Sequence, residues 1–292
     1  MAVDERDPHT GHKTTGHEWN GIKELNTPVP RPVWFFLAVT GLFSIIYWIL
    51  MPAWPAGATY TKGLLGVSDG QRVRAQREQG AAARAGWLAQ VEATPYERLL
   101  TDPAMLERVR KDGAQLFGDN CAACHGADGR GTKGFPSLAD RDWLWGGKPE
   151  TVAETIRVGV NSGHPESRAS EMLAFGATGI LEPTQVANVA DYVMSLSVPV
   201  FAQSKPNSVR AGRAVFDGNC VVCHGAEGRG NQELGAPNLT DPAWINGSDW
   251  TSVYTVVTHG RKGEMPSWEG RLSPAERKLL AAYVLDLVSR PQ

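Results

Sequence analysis

All four cysteines of this 292-residue chain lie in two copies of one pentapeptide, C-x-x-C-H. The first copy runs from Cys121 to His125 and the second from Cys220 to His224. Paired cysteines at this spacing could form disulfides, hold a zinc ion, act as redox thiols or attach a c-type haem. In haem attachment the two sulfurs form thioethers with the haem, and the histidine becomes an axial ligand of the iron. Only this last chemistry uses all three residues together.

The competing chemistries leave parts of the pattern unexplained. A zinc site would need all the cysteines to converge on one ion and would give the two adjacent histidines no role. Redox thiols of the thioredoxin kind follow a β-strand, whereas the segments before both motifs are typical of helix ends. The pattern therefore predicts two covalently bound haem c groups. The predicted haem-attaching and iron-binding residues of the motifs are Cys121, Cys124, His125, Cys220, Cys223 and His224.

The repeat extends well beyond the two motifs. Leu181 to Leu196 matches Leu272 to Leu287, and two further blocks between the motif and this segment also recur. Pro183 and Pro274 stand at helix starts, and apolar residues follow them at helical spacing, which predicts an amphipathic helix at the end of each repeat. Each repeat then offers about three helices and a small core, so a bound haem would supply much of the buried apolar surface.

The order of these elements resembles the class I cytochrome c fold, present twice. The shared order is a helix, C-x-x-C-H, a Gly-rich loop, Pro-x-Leu, a short helix, a methionine loop and a helix with a central tyrosine. The resemblance implies a methionine as the second axial ligand of each iron. Met265 is the only methionine after Cys220. In the first repeat Met172 is the predicted ligand, although Leu173 replaces the usual proline, and Met194 is expected in the core of the final helix.

The resemblance also gives a role to one proline in each repeat. The carbonyl of Pro136 would accept a hydrogen bond from the imidazole of His125. The carbonyl of Pro237 would accept the equivalent bond from His224. Such bonds orient the ring and tune the iron.

Ligation by histidine and methionine would close both axial positions of each iron. A closed, six-coordinate haem suits electron transfer and offers no site for oxygen or peroxide. Two other histidines, His164 and His259, could compete as ligands, but they are expected to be loop or surface residues because each repeat already has a methionine. The two domains are therefore predicted to carry electrons rather than to make bonds.

An uncharged, apolar run extends from Val33 to Trp54. At about 1.5 Å per helical residue it is long enough to cross a hydrocarbon core about 30 Å thick, and aromatic residues lie near both ends. A cleaved signal peptide would have a shorter apolar core, closer to Met1 and followed by a small-residue cleavage site, so an uncleaved anchor is predicted. Lysine and arginine are balanced on the two sides and give no orientation.

The segments on either side of this span narrow the family. Glu18 to Trp34 and Pro52 to Gly66 resemble the stretches that bracket the membrane anchor in the dihaem subunit III of cbb3-type cytochrome c oxidases. The resemblance covers essentially the whole chain, although some relatives have two spans where this chain has one. It implies an electron-transfer subunit, not catalytic by itself, of an oxygen-reducing and proton-pumping haem–copper oxidase.

The implied partners are a donor cytochrome c, the catalytic haem–copper subunit, a monohaem cytochrome c subunit and the lipid bilayer. A formal net charge of −2 gives no sign of a nucleic-acid partner. Electrons would enter at the second haem, paired with Met265, and pass to the first, paired with Met172.

Because haem attachment of this kind is completed outside the cytoplasmic membrane in such bacterial families, the N-terminus is expected in the cytoplasm and the haem domains in the periplasm, with a single pass through the inner membrane.

The predicted architecture is all-α, with one N-terminal transmembrane helix followed by two tandem class I cytochrome c domains. The ranges are a cytoplasmic tail at 1–32, the transmembrane helix at 33–54, a partly helical periplasmic linker at 55–103, and cytochrome c domains at 104–199 and 208–292. Within the linker, residues 68–95 are rich in Ala, Arg and Gln and predict a helical spacer. The tail, which contains His9, His12 and His17, is predicted to be solvated and partly disordered.

Two other functions stay open from the sequence. One is a membrane-anchored dihaem cytochrome c that acts as a free carrier or as a dehydrogenase subunit. The other is a dihaem peroxidase, which the predicted ligands disfavour because one haem would need an exchangeable ligand. Haem b and copper that co-purify with the chain would separate an oxidase subunit from a free carrier.

Overall fold

A computed structural model describes residues 5–290 of the chain. The chain divides into two units, residues 1–83 and 84–292, which are described separately below. Across the described residues the regular structure is helical apart from two short antiparallel pairs of strands in the first unit. The mostly helical prediction is therefore confirmed.

The N-terminal unit contains two small hairpins and one long helix. Its elements are β1 (Thr14–Trp19), β2 (Ile22–Leu25), α1 (Arg31–Leu50), β3 (Pro55–Ala56) and β4 (Thr59–Tyr60). Asn20 and Gly21 join β1 to β2 with φ angles of 51° and 83°, as a tight hairpin turn requires. The tail is thus largely exposed, as predicted, but part of it has a regular hairpin where the sequence predicts partial disorder.

Helix α1 is the one described helix long and apolar enough to cross a membrane. It begins two residues before the predicted span and ends at Leu50, four residues before the predicted end. None of its residues is buried within the unit. Thr40 and Ser44 donate their hydroxyl hydrogens to carbonyls one turn earlier, so the polar side chains are satisfied inside the helix.

The chain folds back to cap the end of this helix. Leu64 donates its backbone N–H to the Ile49 carbonyl at 2.9 Å, and Leu65 donates to the Leu50 carbonyl at 3.0 Å. Gly63, with φ of 67°, passes so close to the Leu50 carbonyl that a Cβ would clash with it. These bonds satisfy carbonyls that a helix end otherwise leaves unpaired.

Eleven further helices carry the rest of the described chain, and the first of them begins before the boundary between the units. They are α2 (Asp69–Ala93), α3 (Tyr96–Thr101), α4 (Pro103–Asn120), α5 (Ala122–His125), α6 (Pro149–Val158), α7 (Pro183–Ser197), α8 (Pro199–Ser204), α9 (Pro206–Asn219), α10 (Val221–His224), α11 (Trp250–His259) and α12 (Pro274–Ser289). Helix α2 coincides closely with the predicted spacer. Helix α8 lies in the linker between the repeats.

The last helices of the two repeats are exchanged. Helix α12, from the second repeat, packs against α4 and α6 of the first, whereas α7 packs against α9 and α11 of the second. Two hydrophobic cores result, one built on α4, α6 and α12 and the other on α7, α9 and α11. The sequence places α7 with the first domain and α12 with the second, so the observed packing differs from this expectation.

Glycine–aromatic contacts hold both exchanged pairs. Gly113 of α4 lies against Tyr283 of α12, where a Cβ would stand 2.7 Å from the tyrosine Cβ. Gly212 of α9 lies against α7, where a Cβ would clash with the Asn188 carbonyl and stand 2.9 Å from the Tyr192 Cβ. Because glycine has no side chain, the two helices of each pair can approach closely. The connection from α7 to α9 is short and contains only the six-residue α8, which favours side-by-side packing because elements close in sequence are usually neighbours.

Each C-terminal helix also buries one aspartate that is paired with a cation. Asp286 is 2% exposed and accepts hydrogen bonds from Arg110 of α4 at 2.8 to 3.1 Å. Asp191 is 4% exposed and accepts bonds from Lys205 and from the indole N–H of Trp250, both at 2.8 Å. A buried carboxylate needs such partners, so these pairs fix which helix each aspartate can face.

Candidate haem-binding sites

Each C-x-x-C-H motif follows the helix that carries the core phenylalanine of its site. Helix α4 ends at Asn120, and Cys121 closes it by donating its N–H to the Phe117 carbonyl at 2.7 Å. Helix α5 is one turn, so Cys121, Cys124 and His125 lie on a single helical turn. Residues three and four apart share one face of a helix, which presents the two sulfurs to the same ligand. The second motif repeats this arrangement after α9.

The histidine of each motif is oriented by a proline carbonyl. His125 donates its Nδ1–H to the Pro136 carbonyl at 2.9 Å, and His224 donates to the Pro237 carbonyl at 3.0 Å. These are the predicted hydrogen bonds. They leave Nε2 of each ring free for a ligand. Burial lowers the pKa of both imidazoles, and the hydrogen bonds offset part of this effect, so the neutral, metal-binding form is favoured.

A glycine-rich turn returns the chain from the motif to that proline. Gly129 and Gly131 both have φ of 74°. Gly131 donates to the His125 carbonyl at 2.8 Å, and Leu138 donates to the Gly129 carbonyl at 2.6 Å. A Cβ on Gly131 would stand 2.5 Å from the Phe135 carbonyl. The glycines therefore allow the tight turn that aims the carbonyl at the imidazole, and the equivalent bonds recur in the second repeat.

The first cysteines of the two motifs, Cys121 and Cys220, pack against two different cores, whereas Cys124 and Cys223 are exposed. Burial raises the pKa of Cys121 to about 11, and the nearby Cys124 adds to the shift. Burial likewise raises the pKa of Cys220 to about 11, with a smaller contribution from the nearby Cys223. Thiols with such pKa values stay protonated at neutral pH and are poor redox nucleophiles. Within residues 5–290 no group of three His, Cys, Asp or Glu side chains could hold a metal ion. The zinc alternative has no support in this geometry.

Each predicted methionine packs against the same core as the first cysteine of the opposite repeat's motif. Met265 and Cys121 both pack against the core of α4, α6 and α12, and Met172 and Cys220 both pack against the core of α7, α9 and α11. From the sequence, Met172 is paired with the first motif and Met265 with the second. The exchange of α7 and α12 accounts for the difference. Met194 is 5% exposed and lies in the core, as predicted.

Short backbone pairings hold each methionine loop in place. Met265 exchanges two hydrogen bonds of 2.9 Å with Val160, and Met172 exchanges bonds of 2.8 and 2.9 Å with Arg261. Gly159, beside Val160, has φ of 72°, and a Cβ there would clash with the Met265 carbonyl. The glycine that ends α6 is thus required for the passage of the methionine loop. Gly260 at the end of α11 plays the same part for the other loop.

The two remaining histidines differ in their surroundings. His259 is exposed, as predicted. His164 is 13% exposed at its side chain and bonds the Glu269 carboxylate through Nε2 at 2.7 Å. It belongs to a polar cluster in which Arg157 also pairs with Glu269 at 3.1 Å. His164 therefore lies in a loop, as predicted, and has a carboxylate partner there.

Loops from both repeats meet between the two candidate sites. Gln232 donates its side-chain N–H to the Trp143 carbonyl at 3.1 Å, and Gly134 donates its backbone N–H to the Ile245 carbonyl at 2.8 Å. The loops that carry Trp143 and Ile245 belong to blocks of the sequence that match between the two repeats. The sequence does not predict that these loops contact each other, because a repeat does not show which surfaces touch.

The donor set fits a covalently attached haem. In each site one repeat would supply two thiols and an oriented imidazole, and the other repeat would supply a methionine from a loop held beside a glycine. In both sites the chemistry of the side chains and the packing of the loops are therefore consistent with haem binding.

Comparisons with known proteins find three family models that match successive segments of the chain. Residues 11–58 match the family model described as the N-terminal domain of cytochrome oxidase-cbb3, FixP. Residues 110–197 match the cytochrome c model, and residues 207–284 match the model of cbb3-type cytochrome c oxidase subunit III.

Full-length relatives show the same similarity. The chain is 46% identical over 285 residues to the cbb3-type cytochrome c oxidase subunit FixP of Bradyrhizobium sp. (strain ORS 278), which covers 97% of each chain. It is 45% identical over 286 residues to the protein of the same name from Bradyrhizobium diazoefficiens, again over 97% of each chain. It is 39% identical over 294 residues to the subunit CcoP of Azospirillum brasilense, which covers 98% of this chain and 99% of the relative.

Proposed function

Because this chain belongs to the family of cbb3-type cytochrome c oxidase subunits FixP and CcoP, we propose that it accepts electrons from a donor cytochrome c and passes them toward the oxygen-reducing, proton-pumping subunit. Its tandem cytochrome c domains are consistent with electron transfer and imply covalently bound haem c. The chain's own role is to bind and orient these groups, and oxygen reduction belongs to another subunit. The proposed partners are the catalytic haem–copper subunit and a monohaem cytochrome c subunit.

Each of the two proposed haem sites takes residues from both repeats. The first site consists of Cys121, Cys124, His125 and Met265, and the second of Cys220, Cys223, His224 and Met172. The position of Met265 against the first core, and of Met172 against the second, is the observation that carries this assignment. When bound, a haem c with histidine and methionine ligands supplies one-electron redox chemistry at a six-coordinate iron. The carbonyls of Pro136 and Pro237 hold the two imidazoles in place.

The donor is proposed to dock at the second motif. The turn between its two cysteines exposes Val222, which is 81% exposed and lies beside the attaching residue Cys223. The first motif has only the small Ala123 at the equivalent position. An exposed large apolar side chain next to the cofactor suits a transient contact that excludes water.

Helix α1 is proposed to anchor the chain in the bacterial inner membrane as a single pass, with the N-terminus in the cytoplasm and the haem domains in the periplasm. Its apolar surface and internally bonded hydroxyls suit a hydrocarbon environment. The periplasmic location follows from the site of haem attachment in families of this kind.

The function is tested by isolating the full chain, with a C-terminal tag, from membranes solubilised in mild detergent. We expect haem b, copper and cyanide-sensitive oxygen uptake to co-purify with it. A haem assay on the denatured chain should find two covalent haems per chain, and one in the Cys121→Ala, Cys124→Ala variant. Isolation of c-type haem alone, under conditions that keep other complexes intact, would favour a free carrier.

A further inference from the structure

Arg168 lies close to the loop that carries Met265. Its backbone N–H donates to the Gly159 carbonyl at 3.1 Å, and its carbonyl accepts from Asn161 at 2.7 Å. Val160, between these two residues, pairs on one side with Arg168 and on the other with Met265. The segments at Arg168, Val160 and Met265 therefore run side by side with Val160 in the middle. Only the Val160 segment separates the backbone of Arg168 from that of Met265, the proposed ligand of the first site.

The guanidinium of Arg168 is poorly satisfied by protein groups. Its Nε is buried, and no described residue accepts a hydrogen bond from it. Among the described residues, the one hydrogen bond that its side chain makes is long, 3.4 Å, from Nη2 to the Thr151 carbonyl. Burial lowers the pKa of Arg168, and the charge of Glu154 opposes this without a hydrogen bond. Glu154 is instead bonded twice by Arg157, at 2.7 and 2.8 Å.

An unpaired, partly buried cation is costly, so this arrangement calls for an anion. Each haem c carries two propionate carboxylates as its anionic groups. The planar guanidinium forms paired hydrogen bonds with a carboxylate. An arginine whose Nε has no protein partner is available for such a bond.

Trp145 supplies a platform for this arginine. The Arg168 guanidinium carbon lies 4.9 Å from the centre of the Trp145 ring, a favourable cation–π contact. The same ring lies against Gly235 of the loop after the second motif, where a Cβ would clash with it. Ser170 also donates to the Gly235 carbonyl at 3.4 Å. The arginine is thus held at the place where loops of the two sites meet.

We propose that Arg168, held on Trp145, binds a propionate carboxylate of the haem attached at Cys121 and Cys124. The first haem is the one assigned because Thr151 and Gly159 belong to α6 and its end, which pack in the first core. This inference rests on the proposed haem sites. A cation at the propionate disfavours the additional positive charge of the oxidised iron, so Arg168 raises the reduction potential of that haem.

The test is a redox titration of the purified complex at several pH values, with Arg168→Gln and Arg168→Lys. We expect Arg168→Gln to lower the reduction potential of one c-type haem and to leave that of the other unchanged. Because the propionate loses its cation, the pH range over which the lowered potential varies should also move to higher pH. Arg168→Lys keeps the charge and should give a smaller shift. Arg141→Gln removes a charge from an exposed position and is the matched control.

The affected haem is identified in a Cys124→Ala background. One unreacted vinyl group then displaces the α-band of the first haem and marks it. Unchanged potentials and pH profiles in Arg168→Gln, or a shift confined to the unmarked haem, would overturn the inference. If Arg168→Gln fails to assemble, a pH profile for Arg168→Lys identical to that of the unmodified chain would overturn it as well. A chain without covalent haem would contradict the proposed function itself, which is a separate result.

Discussion

The Tyr283 ring packs against the Phe117 ring with centroids 5.5 Å apart, although the two residues come from different repeats. The corresponding pair, Tyr192 and Phe216, has centroids 5.1 Å apart and also joins the two repeats. Both phenylalanines are essentially inaccessible to solvent. Each phenylalanine stands one helical turn before a C-x-x-C-H motif, so the exchange of helices extends into the core next to both proposed haem sites.

Replacement of Gly113 should loosen the first of these pairs. A Cβ in Gly113→Ala would meet the Tyr283 Cβ, and the overpacking should cost about 1 to 3 kcal/mol of stability. Denaturant unfolding followed by haem absorbance measures the loss. The control is Gly118→Ala in the same helix, where the added methyl meets nothing and should be neutral or stabilising. Equal effects of the two changes would argue against the close approach of α4 and α12.

The Asp286 carboxylate should make stability depend on pH. Burial raises its pKa, but hydrogen bonds from Arg110 and Arg290 outweigh this and hold the pKa below its ordinary value. A depressed folded-state pKa gives stability that is present above the unfolded pKa, about 3.9, and is lost as pH falls through the folded value.

Asp286→Asn should therefore cost about 2 kcal/mol at pH 7 and progressively less in acid. Unfolding curves at neutral and acidic pH measure this difference. Asp217→Asn, which alters an exposed Arg–Asp pair within α9, is the control and should have little effect. A cost for Asp286→Asn that stays constant down to acidic pH would exclude the ion pair as its source.

Replacement of each methionine by histidine should report the ligand pairing. With the first haem marked by Cys124→Ala, Met265→His should lower the potential of the marked haem and abolish its iron–methionine charge-transfer band, since two nitrogen ligands favour the oxidised iron. Met172→His should do the same to the unmarked haem. If Met265→His instead changed the unmarked haem and Met172→His the marked one, each methionine would bind the haem of its own repeat, as the sequence suggests.

A charge at the second motif should weaken docking of the donor. Val222→Asp places a carboxylate on an exposed apolar side chain, and we expect the KM for the donor cytochrome to rise about tenfold with little change in either haem spectrum. Steady-state oxygen uptake measures KM. Ala123→Asp adds the same charge at the first motif and should leave KM nearly unchanged. Equal effects would indicate general electrostatics rather than a local contact.

Much of each site can be predicted from the sequence, because it depends on local chemistry. The C-x-x-C-H turn, the proline carbonyl opposite its histidine and the Met194 core position all follow from residue types at short spacing. The exchange of α7 and α12 does not follow, because the two helices have similar patterns and either could pack on α4. The role inferred for Arg168 is hidden for a different reason. Its lack of a partner depends on Glu154 being occupied by Arg157, which only the folded chain shows.

The exchange also has a consequence for how the protein is made. A chain is synthesised and exported from its N-terminus, so the motif at Cys121 emerges well before Met265 and α12, which close its site. The motif at Cys220 emerges after its own closing elements, Met172 and α7. The site begun first is therefore finished last. A chain cut short before α12 should therefore have all the elements of its second site but lack the helix that covers its first.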